Sequence, residues 1–235
     1  MRNKNGLRLA LLGVFGIALA LGLNGILAAG ARTTESNATA AQASDAKVKP
    51  KTHVAVPKDR EVATFAGGCF WSMEAMFGQL KGVDRAEPGY AGGHLDDPKY
   101  EQVGAGDTGH AEAIEIIYDP KQISYRDLLE VFFAVHDPTT LNRQGADVGT
   151  NYRSAVFYHT DAQRAATAEA IRDITKKDEW GAPIVTEVTP FSNFYRAEEY
   201  HQDYYNRHPD EPYNRSVVAP KIVKFREKFA AKLKP

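Results

Sequence analysis

Cysteine is the scarcest residue in this chain: one, Cys69, among 235 residues. A single thiol excludes an internal disulfide framework and any cysteine-rich zinc or iron–sulfur site. Charge of one sign is lacking too, since the formal net charge is −1, which gives no reason to expect a nucleic-acid partner. No repeat period is visible. Hydrophobic residues make up 43% and charged residues 25%, an ordinary globular composition able to bury a core.

Long apolar runs are missing except for one. Arg2, Lys4 and Arg8 precede an uncharged run from Leu9 to Ala31. Spanning a bilayer takes about 20 residues, but Asn24-Gly25 breaks this run, and Ala29-Gly30-Ala31 supplies small residues for cleavage. Residues 1–31 therefore read as a signal peptide, favoured over a retained anchor. This makes the protein exported, with a periplasmic destination, and allows membrane contact only through an uncleaved segment. Residues 32–57 are rich in Ala, Thr, Ser and Lys and read as a flexible linker. Residues 58–235 read as one domain, taken as a monomer.

What is present gathers around Gly67-Gly68-Cys69-Phe70-Trp71. Val62 to Ala66 reads as a strand and the glycine pair as a turn. Phe70, Met73 and Phe77 then recur at helical spacing. Cys69 falls at the start of that helix, where unpartnered N–H groups favour a thiolate and depress its pKa. A lone cysteine can also be a small buried hydrophobe, and these residues alone leave both readings open.

Further along, Val83 to Ala86 is extended and Pro88 to His94 is a loop, because of its proline and three glycines. Ala111 to Tyr118 alternates as a strand, with Glu112, Ile114, Ile116 and Tyr118 on its more apolar face. Glu112 is then either on a solvated face, or a carboxylate with a basic partner, or a partly desolvated acid with a raised pKa. Ser124 to Asp127 opens a capped helix with Leu128, Val131, Phe132 and Val135 inward. Gly145 to Asn151 is a loop and Tyr152 to His159 a strand. Thr160 to Lys177 is a helix, Ile184 to Thr189 a strand, and a helix is expected from Arg196. Pro220 begins a last basic helix. Helices and strands interleave, giving an α/β or α+β domain.

Three motifs occur in order: Gly68-Cys69-Phe70-Trp71 with Glu74, Gly109-His110-Ala111-Glu112, and Gly149-Thr150-Asn151-Tyr152-Arg153-Ser154. Together they resemble the peptide methionine sulfoxide reductases of the A class. The resemblance implies an α+β fold, a mixed sheet of ferredoxin-like topology packed by helices. It implies reduction of the S epimer of methionine sulfoxide, in oxidised proteins or free, with no bound cofactor and no metal. It assigns Cys69 as nucleophile, Glu112 as acid, and Tyr100 and Tyr152 as donors to the sulfoxide oxygen. Phe70 and Trp71 would hold the S-methyl group, and Asp147 would contact the substrate. Many relatives carry further cysteines near the C-terminus, whereas here the tail reads Pro212-Tyr213-Asn214-Arg215-Ser216. Cys69 would then be restored by an external thiol: a thioredoxin-like or glutaredoxin-like protein, or a small thiol. Two rival readings are a Cys–His thiol hydrolase using His201 and a non-catalytic aromatic pocket.

Overall fold

Strand β1 (Glu61–Gly67) lies at the middle of the sheet, and its sequence explains why. Ala63 and Phe65 face one side, Thr64 and Ala66 the other, and all four are fully buried. The computed structural model describes residues 55–235, so the expectations for residues 1–31 and for most of 32–57 lie outside the described residues. After β1 come α1 (Phe70–Phe77), β2 (Val83–Ala91), α2 (Tyr100–Ala105), β3 (Ala111–Tyr118) and α3 (Tyr125–Val135). A two-residue ladder, β4 (Arg143–Gln144) with β5 (Asp147–Val148), precedes β6 (Ser154–Tyr158) and α4 (Asp161–Lys177). Strands β7 (Glu187–Pro190) and β8 (Phe194–Arg196), then helices α5 (Tyr204–Arg207) and α6 (Ala219–Phe229), complete the order.

The six-stranded sheet runs β7-β6-β1-β3-β2-β8. Its inner strands β6-β1-β3-β2 are antiparallel, and with α1 and α3 they trace β-α-β-β-α-β, the ferredoxin-like path. β7 adds parallel to β6, making the sheet mixed, and β8 adds antiparallel to β2. On one face Phe65, Ile114, Ile116 and Tyr118 pack against Met73, Phe77, Leu128, Phe132, Ile222 and Phe225 from α1, α3 and α6. The other face is lined by alanines, among them Ala66, Ala111, Ala113 and Ala155, under Phe157, Phe191 and Phe194.

Several local expectations are corrected. Pro88 to Ala91 belongs to β2 rather than to a loop. Gly89 serves close approach, not turning: a Cβ there would meet Phe194 Cζ and the Tyr195 carbonyl oxygen at 2.4 Å. No helix starts at Arg196. That residue ends β8, and the chain continues as a 3-10 turn (Glu199–His201) and the short α5, separated by Asp203 at φ 53°. Tyr152 sits in a 3-10 turn (Thr150–Tyr152) just before β6, and Tyr100 opens a helix whose only buried residue is Val103. β3 has no wet face, since all eight of its residues are buried.

Candidate active site

Gly68 adopts φ 86°, a left-handed conformation that turns β1 into α1 and leaves Cys69 as the helix N-cap. A Cβ on Gly68 would lie 2.5 Å from Gln144 Cγ, so the side chain of β4 seals the back of this turn. The Gln144 amide is itself fixed, accepting from the Asp137 N–H at 3.0 Å and donating to the Asp137 carbonyl at 3.1 Å. Turn and hairpin are thus one packed unit, and the hairpin's other arm carries Asp147.

Cys69 is 6% exposed. Burial pushes its thiol up to about 12, and nearby Glu112 adds to the rise. The Trp71 and Ser72 N–H groups and the Tyr213 hydroxyl favour the thiolate but do not overcome desolvation. The expected depression at the helix start is therefore corrected: the resting sulfur is a neutral thiol.

Glu112 stands at the start of β3, opposite Tyr90 of β2. Its Oε2 accepts from the Phe70 N–H at 3.1 Å, which places the carboxyl one residue from the sulfur. Among the described residues no basic partner approaches it. Burial raises its pKa to about 8, with the Phe70 N–H opposing and Asp147 reinforcing the rise. At neutral pH Glu112 keeps a proton to give.

Tyr100 and Tyr152 are both half-buried, and the pKa of each is raised by burial and then by Glu112. Both phenols are therefore neutral donors grouped around the carboxyl and the thiol. Tyr100 is anchored through its N–H to Glu198 Oε1 at 3.1 Å, while Glu198 Oε2 accepts from the Tyr90 hydroxyl at 2.7 Å. Phe70 is fully buried, ringed by Tyr90, Tyr100, Trp71 and His201 with centroids 5.1 to 6.4 Å away. Trp71 stays partly open and stacks on Tyr204 at 3.9 Å.

His201 does not serve the sulfur. Its Nδ1 accepts from the Trp71 indole N–H at 3.1 Å, and burial lowers its pKa, so the ring is neutral and orients Trp71. Among the described residues no histidine hydrogen-bonds the Cys69 thiol, which removes the geometry a Cys–His hydrolase needs.

Two residues escaped the sequence reading. Tyr213 donates to Asp147 Oδ2 at 2.6 Å and also acts on the Cys69 thiol, linking Asp147 to the sulfur. Glu198 anchors both Tyr90 and Tyr100. Both lie in aromatic-rich stretches that carry no periodic signal, and only the fold brings them in. Tyr213→Phe is expected to lower kcat/KM roughly tenfold, the loss of one hydrogen bond to the charge that develops on sulfur as the thiol loses its proton, with circular dichroism unchanged. An unaltered rate would remove Tyr213 from the site.

Comparison with known proteins fits this arrangement. The family model for peptide methionine sulfoxide reductase matches residues 61–233, the span from β1 to the C-terminal turn. The chain belongs to that family. It is 52% identical over 174 residues to the peptide methionine sulfoxide reductase MsrA of Saccharolobus solfataricus, covering 74% of this chain and 97% of that one. It is also 52% identical over 175 residues to the MsrA of Deinococcus radiodurans, covering 74% and 85%. Among solved structures, reduced Mxr1 from Saccharomyces cerevisiae aligns with TM-score 0.62 and 38% identity, over 69% of this chain and 93% of that one. Methionine sulfoxide reductase A of Corynebacterium diphtheriae aligns with TM-score 0.63 and 32% identity, over 65% and 77%. The chain is thus a peptide methionine sulfoxide reductase by family, an oxidoreductase on the α+β frame described above.

Proposed function

We propose that this reductase acts on the S epimer of methionine sulfoxide, in proteins or free, and passes through a sulfenic acid on Cys69. The observation that carries the reading is the buried Glu112 carboxyl, held by the Phe70 N–H beside the sulfur, where burial favours its protonated form. Sulfoxide sulfur is electrophilic, but its oxygen leaves poorly unless protonated. Glu112 gives its proton to that oxygen while Tyr100 and Tyr152 donate hydrogen bonds to it. The Cys69 sulfur bonds to the substrate sulfur as its own proton passes to the carboxylate that Glu112 has become. The oxygen then passes to Cys69 and the S–S contact breaks, releasing methionine and leaving Cys69–SOH. Glu112 ends with a proton again, so the site neither gains nor loses charge. Trp71, held by His201 and Tyr204, faces the S-methyl group with Phe70 beneath it, and Asp147 with Tyr213 orients substrate beside the thiol.

With no second cysteine in the chain, the sulfenic acid has no internal thiol to condense with. Two equivalents of an external thiol restore Cys69 and leave as a disulfide plus water. The reductant is a thioredoxin-like or glutaredoxin-like protein, or a small thiol. Export to the periplasm, with electrons delivered across the membrane, remains part of this proposal and rests on residues 1–31 of the sequence. Detection of a mature N-terminus near Arg32 is its test.

The decisive assay supplies each sulfoxide epimer separately with dithiothreitol. Turnover of the S epimer alone, absent in Cys69→Ser, is the expected result. Equal turnover of both epimers, or activity surviving in Cys69→Ser, would contradict the reading. Dimedone should label Cys69 after one turnover without thiol, and that turnover should release one methionine per enzyme.

A further inference from the structure

Among the described residues four large hydrophobic side chains stand out in solvent: Leu141 (68%), Val148 (69%), Tyr200 (50%) and Val223 (54%). Single exposed apolar residues are normal, but a group of them beside a reacting centre marks contact with another molecule. Val223 lies on α6, which supplies none of the site residues described above. The other three are carried by elements that build the site.

Leu141 and Val148 flank the β4–β5 hairpin. The Gly149 N–H donates to the Asn142 carbonyl at 2.9 Å, which ties together the positions following each of them. Asp147, next to Val148, turns the opposite way along the strand and meets Tyr213, which acts on Cys69. The hairpin is also pinned to the nucleophile turn by Gln144 against Gly68. Tyr200 reaches the site through another element. Its ring lies 4.2 Å from that of His201, which lies 4.4 Å from Tyr100.

We propose that Leu141, Val148 and Tyr200 form a docking rim for the polypeptide on either side of the oxidised methionine, and that the rim favours apolar flanking residues. The inference rests on the reductase reading and deepens it. Only three bonds separate a methionine sulfur from its Cα. A sulfoxide seated at Cys69 therefore draws its own backbone down to the elements that hold Asp147 and His201. The residues before and after the methionine lie on what those elements expose, which includes Leu141, Val148 and Tyr200 alongside Arg143 and Glu199. Free methionine sulfoxide has nothing to place there. A peptide with apolar neighbours buries surface on both partners, and one with charged neighbours strips its charges of water without compensation.

The test uses three substrates with dithiothreitol as reductant: N-acetyl-methionine sulfoxide amide, a pentapeptide with Leu and Val around the sulfoxide, and one with Asp and Ser. The wild-type protein is expected to favour the apolar pentapeptide over the acetyl amide by roughly fivefold in kcat/KM, as burial of about one methylene group gives. Leu141→Ser combined with Val148→Thr should erase that preference and leave the acetyl amide rate unchanged. Parallel loss on all three substrates would assign the two residues to folding, and an undiminished preference would detach them from binding. Either result overturns the proposal. So does a variant that keeps its peptide preference but loses affinity for a thioredoxin-like reductant, since the rim would then serve that protein. Failure of the wild-type protein to reduce any sulfoxide would instead sink the reductase reading beneath it.

Discussion

Glu112→Gln is expected to lower kcat/KM by about 10²- to 10⁴-fold, the range for loss of a positioned general acid. Glutamine matches the shape and can still accept from the Phe70 N–H, so the nucleophile turn should keep its form. What it lacks is a proton acidic enough to give. The pH profile is the sharper test. Burial holds the Glu112 pKa up at about 8, so the acid is fully protonated on the acid side and is lost as pH rises through that value. Cys69, pushed up to about 12, stays neutral over the same interval and does not offset the loss. The wild-type rate should therefore be flat below about pH 7 and decline above about pH 8. In Glu112→Gln that decline should vanish. A variant that retained it would show that another group supplies the proton.

Glu115→Gln should stabilise the protein, and more so as pH rises. Glu115 lies on the opposite face of β3 from Glu112, is 2% exposed, and among the described residues has no hydrogen-bond partner for either oxygen. Across the ladder it faces Glu87, which is engaged by Arg85 at 3.5 Å and by Arg196 at 3.4 Å. Burial first, and Glu87 second, push the Glu115 pKa up to about 7 against the pull of Arg85. A carboxyl whose pKa is raised in the folded state binds its proton more tightly there than in the unfolded chain. Its contribution is therefore intact below the unfolded value and is lost as pH climbs through about 7. At about pH 8 the substitution should add on the order of 2 kcal/mol. Near pH 4 both side chains are neutral, and the two proteins should differ little. Urea unfolding at the two pH values measures this, and an equal midpoint shift at both would refute it. Activity should be unchanged, since the residue faces away from the sulfur.

These two glutamates also show how far the sequence could be read. Period-two spacing put Glu112 on an apolar face and so marked it for chemistry, and the structure does bury it beside Cys69. The same alternation separated Glu115 from it as the less apolar position. The pattern describes a strand half in water, whereas β3 lies between β1 and β2 with both faces covered. Cys69 was located correctly at the head of its helix, but the effect of that position was misjudged. The helix start favours the thiolate by local geometry, while desolvation depends on everything packed around the sulfur and is the larger effect here. Gly89 was misread as loop because a glycine needed for contact looks the same as one needed for turning. Strands β1 and β3 and the capped α3 and α4 are legible from periodicity and caps. The wall made by Glu198, His201, Tyr204 and Tyr213 was not, because it consists of short turns whose order comes from packing on Trp71 and Tyr100 rather than from any repeat.

The burial of Cys69 reaches beyond the catalytic step. Peroxide and other small oxidants attack thiolates, and a sulfur that stays protonated and nearly out of solvent offers them little. Idle enzyme is thereby shielded from the very stress that creates its work.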